Sequence, residues 1–197
     1  MQQMDWTGNK KTTFSTLGAS SHSEHEREIN DYYATDPIAI KPLIERVKLT
    51  QTIWECACGE GHLSRELEVF GYTVISTDII NRGYGSVLDF LKVKEIKPID
   101  YDIVTNPPYK FAKQFIEKAL EISREGGKVC MFLKLTFLEG QARYNLFKQN
   151  PPKYVYVFSR RIRCGLNGTF KGSSAVCFSW FVWEKGNKDK PTIDWII

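Results

Sequence analysis

Long apolar runs are missing from this chain. No stretch approaches the ~20 consecutive apolar residues a membrane helix needs. The opening "MQQMDWTGNKKTTFSTLG" contains no apolar segment of the kind a secretory leader carries. Cysteine is scarce and odd in number, with five residues at 56, 58, 130, 164 and 177 and no CxxC spacing. This argues against a disulfide framework and for reduced thiols in a cytoplasmic protein. Cys56 and Cys58 lack a second Cys or His pair at ligand spacing, so no metal site is expected. His22 and His25 stand among glutamates and read as part of a solvated tail. Internal repeats and Pro/Gly/Ser-rich linkers are also missing.

What is present fits one domain. A chain of 197 residues can bury a real core and carry little more than a short appendage. Residues 1–28, rich in Ser, Thr, Glu and Lys without periodicity, are expected to form a flexible arm. Residues 29–197 are expected to form the domain. The net charge of +4 is unevenly spread. Between 140 and 183 lie seven Lys or Arg residues and no acid, which leaves the rest of the chain at −3. A basic segment interleaved with aromatics, as from Tyr154 to Phe170, is a footprint for nucleic acid, and a solvated face is the alternative.

The elements alternate. "TIWECAC", "YTVISTD", "YDIVTNPPY" and "KVCMFLKL" read as strands. "HLSRELEVF", "FAKQFIEKALEIS" and "EGQARYNLFKQ" read as the helices between them. Pro37 opens a further helical pattern. "SVLDF" is a short loop or strand end. "KYVYVFS" and "AVCFSWFVW" alternate like antiparallel strands around a Gly-rich loop at 165–174. The pattern predicts an α/β fold, with a mainly parallel sheet, helices on both faces and an antiparallel C-terminal hairpin at its edge. In such sheets ligands bind at the carboxyl ends of the strands.

Three of those ends carry polar signals. In "ECACGEG", Gly59 and Gly61 permit a tight backbone turn, and Glu55 puts a negative charge before it. The third glycine of a dinucleotide fingerprint is replaced by Ser64, and Glu55 with Glu60 would repel a pyrophosphate. Asp78 ends "VISTD"; a carboxylate there can accept both ribose hydroxyls, or serve as a helix cap or Asx turn. The third end is "NPPY", Asn106 to Tyr109. Two acceptors, the Asn106 side-chain oxygen and the Pro107 carbonyl, could hold the two N–H groups of a planar amine. They would free its lone pair and stabilise the charge that grows on nitrogen. Pro107 and Pro108 stiffen the turn and remove competing donors. Tyr109 offers a face on which a flat base can stack.

"NPPY" after a strand, behind "ExxxGxG" and a strand-terminal acid, resembles the S-adenosylmethionine-dependent amino-methyltransferases. It is most similar to the N6-adenine DNA methyltransferases, among them the small solitary enzymes of phages and prophages. The upstream "DYYATDP" resembles the cofactor-contacting segment that precedes the glycine motif in one group of them. The resemblance covers about residues 30–183 and implies a Rossmann-like class I methyltransferase fold with S-adenosylmethionine as cofactor. It also implies roles. Tyr33, Thr35 and Pro37 would wall the methionine end. Glu55, Cys58, Gly59 and Gly61 would hold the amino-acid part. Asp78 would take the ribose, with Ile79 against the adenine, and Asp89 would bind the adenine amine beside Phe90. Asn106, Pro107, Pro108 and Tyr109 would hold the target amine. The family's added target-recognition domain has no counterpart in the 14 residues after Trp183. Target contacts are therefore expected from Arg161, Arg163 and Lys171, or from a protein partner. DNA is expected ahead of RNA. RNA amines, protein glutamine and a partner-dependent binding subunit remain open, because NPPY specifies the nitrogen chemistry better than the substrate.

Overall fold

The computed structural model describes residues 34–94, 100–162, 164–165 and 176–197. The expected arm at 1–28 lies outside them. Ten strands are described: β1 Ala34–Thr35, β2 Thr52–Glu55, β3 Thr73–Asp78, β4 Ser86–Val87, β5 Asp102–Thr105, β6 Lys128–Lys134, β7 Tyr154–Phe158, β8 Cys164–Gly165, β9 Phe178–Glu184 and β10 Thr192–Ile196. The α-helices are α1 Ile40–Ile44, α2 His62–Val69, α3 Ala112–Ile122 and α4 Gln141–Gln149. Eight strands form one sheet in the order β10-β7-β9-β6-β5-β2-β3-β4. All neighbours are parallel except β9, which runs antiparallel to β6 and β7.

Side-chain alternation assigns the two faces. In β6, Cys130 and Phe132 point to one core while Val129, Met131 and Leu133 point to the other, and all five are buried. The first core takes Ile40 and Leu43 of α1 and Leu63 and Leu67 of α2. The second takes Phe115, Ile116, Ala119 and Leu120 of α3 and Leu146 of α4, whose i, i+3, i+4 spacing on α3 forms one apolar stripe. A strand buried on both faces needs a near-continuous apolar run, and "KVCMFLK" supplies one.

Buried polar groups are tied off where they pin elements together. The Trp180 indole N–H of β9 donates to the Ala39 carbonyl, 2.8 Å, anchoring the turn before α1 to the sheet. Trp54 donates to Thr77 Oγ1 at 2.9 Å, between β2 and β3. Asp102, fully buried at the start of β5, accepts from the backbone N–H of Thr50 and Lys128 at 2.8 and 2.7 Å. These bonds fix the relative positions of the strands whose carboxyl ends matter below.

The antiparallel C-terminal pair is β7 with β9. It does not end the sheet: β9 lies between β6 and β7, and β10 pairs parallel to the outer side of β7. The strand order reverses at β2, which pairs with β3 on one side and β5 on the other. That reversal opens a crevice at the carboxyl ends.

Candidate active site

The crevice is a cleft of ≈ 1110 Å³. Its lining includes Thr35, Glu55, Cys58, Asp78, Ile79, Asp89, Phe90, Asn106, Pro107, Pro108 and Tyr109. The topology thus gathers most of the residues singled out from sequence, although they are spread over more than 70 positions. Pro37 opens a 3-10 turn, Pro37–Ala39, next to the cleft and does not line it. Tyr33, Arg163 and Lys171 lie outside the described residues. Arg161 is exposed and directs its guanidinium to the Cys177 sulfur, and neither residue lines the cleft.

The loop after β2 is held by its glycines and by Asp78. Gly59 and Gly61 both have positive φ, 55° and 80°, where a side chain is strained. The Gly59 N–H donates to Asp78 Oδ2 and the Ile80 N–H to Asp78 Oδ1, each at 2.9 Å. The Asx-turn alternative for Asp78 is therefore realised. A carboxylate has about four lone-pair sites, so the same oxygens can still accept ligand hydroxyls. At Gly61 a Cβ would overlap the Tyr84 ring. The close approach that demands glycine there is to this aromatic, which carries the Arg65 guanidinium 4.4 Å from its centroid.

Glu55 is buried at the end of β2 and accepts from the Ser64 hydroxyl at the start of α2. Ser76 in turn donates to Ser64 at 2.8 Å. Burial pushes the Glu55 carboxyl up to about 8, with the Asp78 charge adding to the rise and the Ser64 bonds opposing it. Burial likewise raises the Cys56 and Cys130 thiols well above their ordinary value and the Cys58 thiol to about 12. These thiols are protonated near neutrality and are poor nucleophiles.

The NPPY end is organised by long-range contacts. Asn106 Nδ2 donates to the hydroxyl of buried Thr35, 2.8 Å away, so its amide plane is set through nitrogen. Thr35 is itself held in β1, which pairs with β8 through Thr35↔Cys164. Tyr109 starts the short turn Tyr109–Phe111 and stacks on Phe178, with ring centroids 6.2 Å apart. Lys134 Nζ lies 4.6 Å from the Tyr109 centroid. At the far wall, Asp89 caps the turn Phe90–Lys92 by accepting from the Leu91 N–H, and it pairs with Lys92 at 3.0 Å. Phe90 packs edge-on to Trp54.

Several lining residues gave no signal when the strand ends were read from sequence, among them Lys134, Lys110 and Arg82. Lys134 ends a strand on the same side of the sheet as Glu55, Asp78 and Asn106, and that position is the one sequence signal it carries. Among the described residues no cluster of His, Cys, Asp or Glu could hold a metal ion. No described helix is long and apolar enough to cross a membrane.

The donor set suits a cofactor with a cationic amine and a ribose. A desolvated carboxyl sits at one end, and a carboxylate clamped by two backbone N–H groups sits at the next strand end. No protein-family model matches the chain, and no curated protein matches it. Solved structures do. A candidate class I S-adenosylmethionine-dependent methyltransferase from Listeria monocytogenes is 17% identical, with a TM-score of 0.56 over 93% of this chain and 71% of that one. A candidate RNA methyltransferase from Pyrococcus horikoshii is 14% identical, with a TM-score of 0.56 over 89% and 98%. The M protein of the type I restriction enzyme EcoKI is 11% identical, with a TM-score of 0.56 over 91% of this chain and 52% of its own length. With a mostly parallel sheet, an inverted β9 and helices on both faces, the chain has the Rossmann-like fold of the class I methyltransferases.

Proposed function

We propose that the chain is an S-adenosylmethionine-dependent methyltransferase acting on the exocyclic amine of adenine in DNA. The observation that carries this reading is the meeting of Asn106-Pro107-Pro108-Tyr109 with Glu55 and Asp78 in one cleft large enough for a cofactor and a flat base together. Glu55 would hold the cofactor's amine, Asp78 its ribose, and Ile79, Asp89 and Phe90 its adenine. Bound there, S-adenosylmethionine would supply an electrophilic methyl group.

The chain's own residues do the rest. Asn106 Oδ1 and the Pro107 carbonyl accept the two N–H groups of the target amine. That favours a pyramidal nitrogen, localises its lone pair and stabilises the positive charge formed on attack. Thr35 keeps the Asn106 nitrogen turned away from this task. Tyr109 gives the base a ring to stack on, which for a duplex requires the base to be flipped out. After transfer the amine loses its extra proton to water. Protonated Cys56, Cys58 and Cys130 fit a direct transfer with no covalent enzyme intermediate.

Calorimetry and turnover on the isolated chain test the reading. Heat is expected on titrating S-adenosylhomocysteine, with no saturable heat for NAD. Label from methyl-labelled S-adenosylmethionine is expected in DNA. Saturable NAD binding with no response to S-adenosylhomocysteine would overturn it.

A further inference from the structure

Lys134 continues the stripe Cys130, Phe132, Lys134 along one face of β6, where the first two are fully buried and Lys134 emerges half-buried into the cleft. Its ammonium lies over the ring that a target base would use, 4.6 Å from the Tyr109 centroid. That ring is backed by a column: Phe178 stacks on Tyr109, and Phe132 stacks on Phe178 with centroids 5.0 Å apart. The acids of the cleft do not neutralise the lysine. Asp89 pairs with Lys92, Glu55 holds Ser64, and Asp78 holds two backbone N–H groups. Among the described residues Lys134 forms no ion pair.

We propose that Lys134 binds the phosphate beside the target base, so that the site selects a nucleotide within a polymer over a protein glutamine. This inference rests on the methyltransferase reading above and deepens it. A cation on an aromatic face is a weakly held arrangement, readily exchanged for a charge-assisted bond to phosphate oxygens. As the base takes the Tyr109 ring, the ammonium leaves it and follows the sugar to the phosphate. The same movement vacates the platform and fills the lysine's missing anion contact. A glutamine side chain would bring the planar amide but no anion, and would leave the half-buried ammonium with no anion to pair with. Lysine suits the role because its flexible stem lets one charge serve two positions.

The test pairs Lys134 with the phosphate itself. The probe is an oligodeoxynucleotide carrying one adenine that the wild-type chain methylates. A neutral methylphosphonate replaces the phosphate on its 5′ side or its 3′ side in turn. For one of the two, wild-type KM should rise about tenfold, the scale of one partly screened charge-assisted bond. K134M should raise KM by a similar factor on the normal strand and gain little further penalty on the neutral one. Its kcat should stay within about twofold, and K134R should restore part of the KM, because a guanidinium can also bond phosphate oxygens though with a different geometry. Unchanged S-adenosylhomocysteine affinity reports that K134M is folded. If the two penalties multiply at both positions, or K134M is indistinguishable from wild type, the inference is overturned while the methyltransferase reading stands. If wild type methylates no nucleic acid under conditions where it binds S-adenosylhomocysteine, the substrate assignment above falls, and this inference falls with it.

Discussion

Replacing Glu55 by glutamine should make the protein more stable while weakening cofactor binding. The folded carboxyl gives up its proton near pH 8, the unfolded one near 4.5, because the folded state buries it at the end of β2. Between these values the unfolded chain binds fewer protons than the folded chain, so stability falls as pH rises. At ~1.36 kcal/mol per pH unit the loss is about 3 kcal/mol by pH 7 and about 5 kcal/mol above pH 8, where it levels off. Glutamine keeps the shape, can still accept from Ser64, and does not titrate. Its second N–H group adds an offset that does not vary with pH. Urea unfolding of both proteins from pH 4 to pH 9 isolates the charge, because every other titrating group cancels in the difference. The advantage of E55Q over wild type should grow by about 5 kcal/mol across that range, with most of the growth between pH 4.5 and 8. S-adenosylhomocysteine should bind E55Q more weakly than wild type above about pH 8, where Glu55 is ionised, and the difference should shrink as pH falls. A difference that is flat with pH would refute the picture of a desolvated carboxyl that the cofactor's amine relieves.

Other outcomes follow from single contacts. Asn106→Ala should lower kcat by ~10²–10³, as expected for losing one preorganised partner of the reacting group, while calorimetry shows S-adenosylhomocysteine binding largely preserved. Thr35→Val removes the hydrogen bond that sets the Asn106 amide and should lower kcat about tenfold, with Thr35→Ser recovering most of it; equal kcat for Val and Ser variants would contradict the positioning role. Gly61→Ala should cost at least ~1–2 kcal/mol in urea unfolding from its positive φ alone, and more from overlap with Tyr84.

Much of the candidate site was legible because the carboxyl ends of β2, β3 and β5 break their apolar runs with an unusual group. Glu55, Asp78 and the NPPY turn stand out for that reason, and the parallel sheet then brings them together. Lys134 hid because a lysine after "KVCMFL" looks like an ordinary solvated strand end. The Thr35–Asn106 bond spans 71 positions and the Ser64–Glu55 bond joins a helix to a strand, so no local period marks either. Ser64 counted in the sequence only as a missing glycine; in the fold it is the donor that steadies a buried acid. β10 was invisible for a different reason. "TIDWI" follows a polar, proline-containing stretch, and its Ile193 and Trp195 remain half or more exposed, so little core pattern identifies it as a strand. Tyr33, Arg163 and Lys171 lie outside the described residues, and their expected contacts stand as proposals.

The central claim is that NPPY directs a methyl group to the adenine amine. The most direct measurement is mass spectrometry of nucleosides released from DNA and RNA after incubation with the purified chain and S-adenosylmethionine carrying a deuterated methyl group. The account predicts labelled N6-methyladenine from DNA with wild type and ~10²–10³ less of it with Asn106→Ala in the same time. Label absent from every nucleoside, or found only in nucleosides from RNA, would contradict it.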